Sequence, residues 1–404
     1  MSNTLKFGNG EWYGKEGTIL AYNDENNNYK PLPFTFDRDS VATRVNKQGL
    51  IETVGADQPR IDYLNDSKGA LLLEPSRTNS LLQSNQFDTT WTTANATETS
   101  GQIGIGGSSD AWKIDLVSAN GHIYQGASQT GVNTISVYAK AGTLNWMRLR
   151  VGTAPKNSRY FDLANGVIGL SGTTPLDAKI EAVGNGWYRC SMTTNISIDR
   201  VYFYPAQDDG DLTATSGNIY IQHAQIEQGS YATSIINTQG SAVTRVDETC
   251  TNGGNDQVIN STEGVLYLEA KVKTDTIFAA NCVAVSDGTD ANRLSIIMYG
   301  NINSIRASMN VGSVSQFDFN LPSGYSQEQY YKIAVSYKAN DCKIFINGAK
   351  ILTDTSATMP SLGTFDRLNL DLGQGLYDFY GNVKDVRVYN TALTDQELAA
   401  LTQV

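Results

Sequence analysis

The sequence predicts an all-β protein, in which an extended N-terminal arm precedes two β-sandwich domains of the jelly-roll kind. Glycine (37 residues) and tyrosine (21 residues) are abundant, whereas methionine (6 residues) is rare. This composition favours strands that are joined by turns. Short segments in 81–245 and 263–404 alternate apolar and polar residues. Gly, Asn and Asp separate these segments at regular spacing, which is typical of sandwiches and jelly rolls.

Residues 1–80 are predicted to form an arm rather than a compact domain. The stretch Asn23–Pro33 is polar and interrupted by prolines, and the strand-like runs Leu50–Val54 and Ile61–Leu64 are short. Ala70–Leu73 is apolar but too short to bury a core of its own. We therefore expect the arm to pack on the next domain or on a partner subunit.

Residues 81–245 are predicted to form the first sandwich. Turn sequences such as Ala164-Asn165-Gly166 and Gly184-Asn185-Gly186 separate its strands. The predicted strands are Ala111–Val117, Thr134–Ala139, Trp146–Val151, Ser158–Leu163, Lys179–Val183, Trp187–Thr194, Val201–Tyr204 and Asn218–Gln225.

Residues 246–262 are predicted to be a linker because they are polar and rich in Gly and Asn, and residues 263–404 to be the second sandwich. Asn347-Gly348 predicts a tight hairpin, since both residues tolerate positive φ. Thr394 and Glu397 form the pattern of a helix capping box near the C-terminus. The predicted strands are Gly264–Val272, Cys282–Val285, Leu294–Tyr299, Ser304–Asn310, Tyr331–Lys338, Lys343–Ile346, Leu368–Leu372 and Gly381–Tyr389.

The charge balance excludes some classes of partner. Asp and Glu number 41 against 30 Lys and Arg, giving a net charge of -11 over 404 residues. Phosphate backbones and anionic membrane surfaces would repel such a chain, so we expect no nucleic-acid partner. No apolar run reaches the roughly 18–20 residues of a membrane span, and the N-terminus lacks the pattern of a signal peptide.

The cysteines and histidines offer little material for chemistry. Cys190, Cys250, Cys282 and Cys342 lie far apart without a C-x-x-C pattern, which argues against a zinc or redox site and favours free thiols. The sequence has only two histidines, His122 and His223, and both are interpreted as structural.

The C-terminal third resembles the concanavalin A-like (laminin-G-like) superfamily. The resemblance is carried by Ile333–Tyr337 (IAVSY), Lys343–Gly348 (KIFING), Gly381–Tyr389 (GNVKDVRVY) and Asn390–Leu398 (NTALTDQEL). It implies a two-sheet jelly roll that binds glycans or proteins. Relatives that hydrolyse glycosides need two carboxylates on one strand face, and no E-x-D-x-x-E strand occurs here. We therefore predict that the chain is not an enzyme.

The first 245 residues resemble virion structural proteins of tailed bacteriophages, and the middle portion resembles the jelly roll of carbohydrate-binding modules. The matching stretches are Lys30–Asp37, Ala42–Ile51, Pro59–Tyr63, Gly69–Asn79, Asn185–Arg189, Ile219–Gly229 and Tyr231–Arg245. The resemblance implies a tail, fibre or head-appendage protein located in the virion. It leads us to expect a homo-oligomer that docks onto other virion proteins through residues 1–80 and binds host-surface glycans.

Exposed aromatic rings are the expected glycan-binding groups, because they stack on sugar faces while polar side chains bind the hydroxyls. The alternative is that the same rings belong to the sandwich cores. The candidates are Trp112, Tyr124, Trp146, Tyr202 and Tyr204 in the middle domain, and Tyr325 and Tyr377 in the C-terminal domain.

Two acidic loops are candidate calcium sites, since calcium takes six to eight oxygen ligands. Asp208, Asp209 and Asp211 form one group, and Asp287 and Asp290 form the other. The alternative for both is a solvated loop. The sequence thus leaves three hypotheses: a glycan-binding virion protein, a purely structural virion protein that contacts only its neighbours, and a polysaccharide-degrading enzyme.

Overall fold

The computed structural model describes residues 3–273, 280–300, 304–321, 324–327 and 329–404. Its contacts divide the chain into two compact units. Unit 1 comprises Met1–Val41, Val54–Pro75 and Val246–Val404, and unit 2 comprises Ala42–Thr53 and Ser76–Arg245. Apart from one short C-terminal helix, the regular secondary structure of both units is β-strand, which confirms the predicted fold class.

The strands of the first 110 residues are β1 (Asn3–Gly8), β2 (Gly14–Lys15), β3 (Thr18–Asn23), β4 (Asn28–Asp37), β5 (Ala42–Val45), β6 (Ile51–Val54), β7 (Ile61–Asp62), β8 (Ala70–Leu73), β9 (Arg77–Asn79), β10 (Thr92–Ala94) and β11 (Ala96–Gln102). Those of the middle are β12 (Ala111–Leu116), β13 (His122–Gln129), β14 (Asn133–Ala141), β15 (Trp146–Val151), β16 (Asn157–Asp162), β17 (Val167–Thr173), β18 (Asp177–Gly184), β19 (Trp187–Thr194), β20 (Ile198–Ala206), β21 (Asn218–Gln228) and β22 (Val243–Arg245). The remaining elements are β23 (Thr249–Thr251), β24 (Glu263–Val272), β25 (Ala280–Ser286), β26 (Arg293–Tyr299), β27 (Ser304–Val311), β28 (Val314–Leu321), β29 (Tyr331–Lys338), β30 (Cys342–Ile346), β31 (Ala349–Asp354), β32 (Arg367–Asn369), β33 (Gly381–Tyr389) and α1 (Asp395–Thr402).

Unit 1 is a sandwich of an eight-stranded and a five-stranded sheet. The larger has the order β31-β30-β29-β24-β33-β8-β7, with β1 also paired to β33, and the smaller has the order β28-β27-β26-β25-β32. Alternate residues of both sheets, such as Leu266 and Leu268 of β24 and Val283 and Val285 of β25, join one buried cluster. This cluster is the core of unit 1.

The predicted N-terminal arm is wrong as a separate element, because its strands β1 and β8 complete a sheet of unit 1 and residues 42–53 belong to unit 2. Strand β1 pairs antiparallel with β33, with Leu5 opposite Val388 and Phe7 opposite Val386. Strand β8 pairs with the beginning of β33, and Leu71 and Leu73 are each 1% exposed in the core. The apolar run therefore packs within the chain, on the C-terminal sandwich, and we expect removal of residues 1–80 to expose that core.

A buried ionic network holds the same N-terminal segments in unit 1. Glu248 binds Arg38 at 2.8 Å and also pairs with Arg60, which in turn binds Glu74 at 2.8 Å. All four side chains are almost completely inaccessible to water. Buried charges of this kind persist only when their partners remain in place. The network therefore fixes three separate chain segments in one arrangement.

The predicted linker at 246–262 also belongs to unit 1. Strand β23 pairs with β4, with Cys250 opposite Phe36, and Ile259 is completely buried in the core. The polar, Gly-rich sequence gives no sign of these two buried positions. Strand pairing and burial therefore place this segment inside the sandwich.

Unit 2 is a sandwich of two six-stranded sheets. Their strand orders are β10-β13-β20-β15-β16-β17 and β11-β12-β21-β14-β19-β18. Residues such as Met147, Leu149 and Phe203 from the first sheet and Ile135 and Ile221 from the second form one core. The strands predicted in this region are all present with small shifts at their ends.

Two local predictions are confirmed in detail. Asn347 (φ 48°) and Gly348 (φ 83°) form the turn between β30 and β31, with Ile346 opposite Ala349. Thr394 caps α1: its side chain accepts from the Glu397 amide at 3.3 Å, and the Glu397 carboxylate accepts from the Thr394 amide at 2.9 Å. No helix in the described part of the chain is both long and apolar enough to cross a membrane.

Candidate functional site

The five-stranded sheet of unit 1 has an outer face that carries a cavity. Strands β25, β26 and β27 direct Val283, Ile296 and Ala307 into the core, so the alternate residues point to the opposite face. There Cys282 lies opposite Ile297, and Ile297 lies opposite Arg306. The segment that follows β32 lies against this face and closes a cavity of about 540 Å³. Its lining residues are Ala280, Cys282, Arg293, Ile297, Tyr299, Arg306, Leu372, Tyr377, Asp378 and Tyr380.

The cavity combines an apolar floor with polar walls. Cys282, Ile297 and Leu372 form a small buried cluster on this face. Arg306 is held by Asp318 through two contacts of 2.6 Å, and a hydrogen bond of 3.4 Å joins it to the Tyr299 hydroxyl. The bidentate pair raises the pKa of Arg306, so its charge is permanent and largely balanced.

A second arginine and a carboxyl group also line the cavity. Burial lowers the pKa of Arg293, whose guanidinium pairs with Asp290. Burial, and secondarily the negative charges of Asp371 and Asp247, raises the pKa of Asp378 to about 6. Near pH 6 this carboxyl group can therefore either donate or accept a hydrogen bond, and at higher pH it mainly accepts.

Tyr377 is an aromatic residue that lines the cavity and is exposed to solvent. It is 59% exposed, and its backbone has a φ of 60°, in the left-handed region that a bulky residue rarely adopts. Tyr380, by contrast, is 6% exposed. An exposed ring held in an unfavourable conformation beside a cavity is typical of a binding surface.

The predicted tyrosines of the C-terminal domain thus have different positions. Tyr377 lines the cavity, whereas Tyr325 is 4% exposed, belongs to the core of unit 1 and lies 4.9 Å from the Tyr331 ring. The prediction of Tyr325 as a ligand-binding residue is therefore wrong: its ring is enclosed by the core.

The predicted residues of the middle domain also separate into two groups. Trp112 is 5% exposed in the core of unit 2, and its indole NH donates to the Asn85 carbonyl at 2.9 Å, so it cannot stack on a sugar. Tyr124, Trp146, Tyr202 and Tyr204 instead lie together on the outer face of the sheet that contains β13, β15 and β20. Tyr202 and Tyr204 are each only 5% exposed, because neighbouring side chains cover them.

The acidic loop in unit 2 uses its carboxylates in local hydrogen bonds. Asp208 accepts from the amide of Asp209, Asp209 from the amide of Leu170, and Asp211 from the amide of Thr213. These contacts stabilise turns in the manner of Asx motifs.

The loop in unit 1 is similar. Asp287 accepts from Thr289 and Asn292, and Asp290 pairs with Arg293. Across the part of the chain that is described, no group of three His, Cys, Asp or Glu side chains is arranged to hold a metal ion.

The sequence did not identify the strand residues of the cavity. Arg306, Tyr299 and Ile297 lie on strands whose alternation shows only that they face away from the core. The pattern that would have indicated a site is an arginine that lies among apolar residues of the neighbouring strands. It becomes visible only when the register is known.

Comparisons with known proteins agree with this fold. Residues 255–399 match the concanavalin A-like lectin/glucanases superfamily. No curated protein sequence matches the chain.

Several solved structures are similar to parts of the chain. A sialidase CBM40 of Ruminococcus gnavus bound to α2,3-sialyllactose is 21% identical, covers 35% of this chain and 83% of its own, and has a TM-score of 0.30. Domain 4 of an arabinanase of Geobacillus stearothermophilus, in complex with arabinotriose, is 14% identical and has a TM-score of 0.31. The match covers 44% of this chain and 84% of the arabinanase domain chain. The family match covers the C-terminal part of the chain, residues 255–399, which is therefore similar to concanavalin A-like domains.

Proposed function

We propose that this protein binds glycans through the cavity of unit 1 and does not cleave them. The observation that carries the proposal is the position of the exposed Tyr377 ring beside Arg293, Arg306 and Asp378 on one cavity of about 540 Å³. An aromatic ring stacks on the apolar face of a sugar, while charged and hydroxyl groups bind its hydroxyls. The volume is within the range of a site for one or two sugar residues.

The lining of the cavity favours binding over hydrolysis. Asp378 is the one carboxyl group that lines it among the described residues, and its arginines are paired with Asp318 and Asp290. Glycoside cleavage by the usual route needs two carboxyl groups on either side of the bond. Glu263, an acidic residue at the start of β24, does not line the cavity: it accepts a hydrogen bond from the Ala392 amide and pairs with Lys338.

We further propose that the chain is a virion protein of a tailed bacteriophage, present in several copies and directed at host-surface glycans. The phage-like stretches in 30–245, which occur in order along the sequence, support this assignment. A single site with few polar contacts binds weakly, so several copies on one particle would raise avidity. Because β1 and β8 pair with β33 of the sandwich, docking would involve a folded surface and not a free arm.

A glycan array with the full-length protein tests the binding proposal, followed by calorimetry on the glycans that bind. We expect Tyr377→Ala to weaken binding by about tenfold, the equivalent of one stacking contact. Tyr13→Ala is the matched control, because Tyr13 is a 47% exposed tyrosine of unit 1 that does not line the cavity. An array without signal would instead favour a purely structural role, and equal binding by wild type and Tyr377→Ala would show that the cavity is not the glycan site. Immunogold labelling of phage particles whose genome encodes the chain tests whether it is present in the virion.

A further inference from the structure

The outer face of one sheet of unit 2 carries a continuous layer of aromatic and cationic side chains. In β15, Met147, Leu149 and Val151 point to the core, so Trp146, Arg148 and Arg150 point outward. Across the sheet, Arg148 lies opposite both Tyr204 and Tyr160, and Arg150 lies opposite Tyr202. Tyr202 in turn lies opposite Tyr124. We call this surface the arginine–tyrosine face, formed by Tyr124, Trp146, Arg148, Arg150, Tyr160, Arg200, Tyr202 and Tyr204.

The guanidinium groups stack on the tyrosine rings. Arg150 lies 4.6 Å from the centroid of Tyr202, and Arg148 lies 5.4 Å from Tyr204 and 5.6 Å from Tyr160. These contacts explain why the rings are almost buried although they lie outside the core. The chemical groups that the face offers to a ligand are therefore planar cations and tyrosine hydroxyls, and the ring faces are covered.

Arg148 and Arg150 lack acidic partners on this face. Arg148 donates to the Ser158 hydroxyl at 3.1 Å, and Arg150 donates to the Tyr204 hydroxyl at 3.2 Å and to the Gly152 carbonyl at 3.1 Å. Within the described residues, neither forms an ion pair with a carboxylate, and the buried Nε of each has no hydrogen-bond acceptor. Asp209, at the edge of the face near Trp146, accepts from the Leu170 amide.

We propose that the arginine–tyrosine face binds a carboxylate-bearing oligosaccharide, with Arg148 and Arg150 as the residues that bind its carboxylate. Two guanidinium groups fixed by stacking are pre-organised for bidentate contact with a planar anion. The hydroxyl groups of Ser158 and Tyr204 accept hydrogen bonds from the same cations and help to hold them in place. The site lies in unit 2 and does not depend on the cavity of unit 1.

The charge of the chain favours a sugar acid over nucleic acid as the ligand. A net charge of -11 repels densely charged polyanions at long range, whereas a local cationic face still attracts a ligand with one carboxylate per sugar. The flat outer face of a sheet also suits an extended oligosaccharide.

The test is a glycan array and calorimetry with the full-length protein. The probes are trigalacturonate and 3′-sialyllactose, and their uncharged counterparts are trigalacturonate methyl ester and lactose. We expect wild type to bind at least one acid about tenfold more tightly than its counterpart, and the difference to diminish with added salt. The double variant Arg148→Gln/Arg150→Gln should lose this preference. The variant Arg148→Lys/Arg150→Lys should retain only part of it, because lysine keeps the charge but not the planar fork.

Two controls separate this site from general electrostatics and from the cavity. Arg44→Gln removes one positive charge of unit 2 from the exposed pair with Glu52 and should leave acid binding unchanged. Tyr377→Ala should also leave it unchanged, so failure at the cavity and failure at this face are distinguishable. The inference is overturned if wild type shows no preference for either acid, or if the glutamine double variant keeps the preference while its circular dichroism remains native.

Discussion

The outer faces of two sheets, one in each unit, use the same residue types to produce different surfaces. In unit 1, Arg306 is paired with Asp318 and Arg293 with Asp290, and a chain segment closes a cavity beside an exposed tyrosine. In unit 2, Arg148 and Arg150 lie against tyrosine rings without a carboxylate partner among the described residues. The two faces therefore differ in the partners of their arginines, and we expect this difference to decide whether each surface suits a neutral or an anionic ligand.

The largest expected effect is on stability, because the tyrosines of the two faces differ in burial and their removal should cost different amounts of free energy. Tyr204→Ala should lower the free energy of unfolding by about 3 kcal/mol, since it removes a 5% exposed ring that packs between Arg148 and its neighbours. Tyr377→Ala should change it by less than about 0.5 kcal/mol, because that ring is 59% exposed. Urea denaturation followed by circular dichroism measures both, and equal losses would contradict the distinction between the faces.

The sequence predicted the fold class and most strands, because alternation and turn residues are local signals. It did not predict that β1 and β8 join β33, since pairing between distant segments depends on which apolar runs find a common core. Cys250 and Ile259, in the polar stretch before β24, were likewise not predicted to be buried, because their burial depends on contacts with distant segments.

The candidate site was predicted less well than the fold. Tyr377 and its loop are polar, Gly-rich and aromatic, and their composition pointed to a binding role. Tyr325 has the same kind of neighbours in the sequence, yet it belongs to the core. In the segment 323–331 around Tyr325, residues 323 and 328 lie outside the described residues. Arginine partners come from other strands, so Asp318 and Ser158 could be assigned only from the register.

Changing the carboxylate partners of the arginines should shift the ligand preference of one face toward that of the other. Asp318→Asn removes the bidentate carboxylate from Arg306, so in the Arg148→Gln/Arg150→Gln background we expect binding of an acidic glycan at the cavity to strengthen by about tenfold. Glu52→Gln, which removes a carboxylate from an exposed pair of unit 2, is the control. Calorimetry with the acid and its uncharged counterpart measures the change. An unchanged affinity would show that Asp318 does not determine the preference of the cavity.

The reverse exchange applies to unit 2. Ser158→Asp places a carboxylate where a hydroxyl now lies 3.1 Å from Arg148, and the new ion pair should weaken binding of acidic glycans by about tenfold. Ser158→Asn has nearly the same shape without the charge and should have a much smaller effect. If both variants reduce binding equally, the change reflects shape, and the charge argument for this face does not hold.

The smallest expected effect is a pH dependence that belongs to the cavity alone. The pKa of Asp378 is raised to about 6 by burial, and then by the charges of Asp371 and Asp247, while hydrogen bonds to its charged form oppose the shift. A carboxyl group whose pKa is raised on folding binds its proton more tightly in the folded state. Its contribution to stability is therefore greatest below its ordinary pKa near 3.8, and is lost as the pH rises through about 6.

Between pH 4 and pH 7, we expect the free energy of unfolding of wild type to fall by about 1 kcal/mol relative to that of Asp378→Asn. This value is smaller than the full pKa shift implies, because part of the carboxyl group remains in contact with water. Urea denaturation at several pH values measures the difference. Asp354→Asn is a suitable control, because Asp354 caps a turn through the amides of Ser356 and Ala357 and does not line the cavity. A difference between wild type and Asp378→Asn that stays constant with pH would show that this carboxyl group titrates in the folded protein as it does in the unfolded chain.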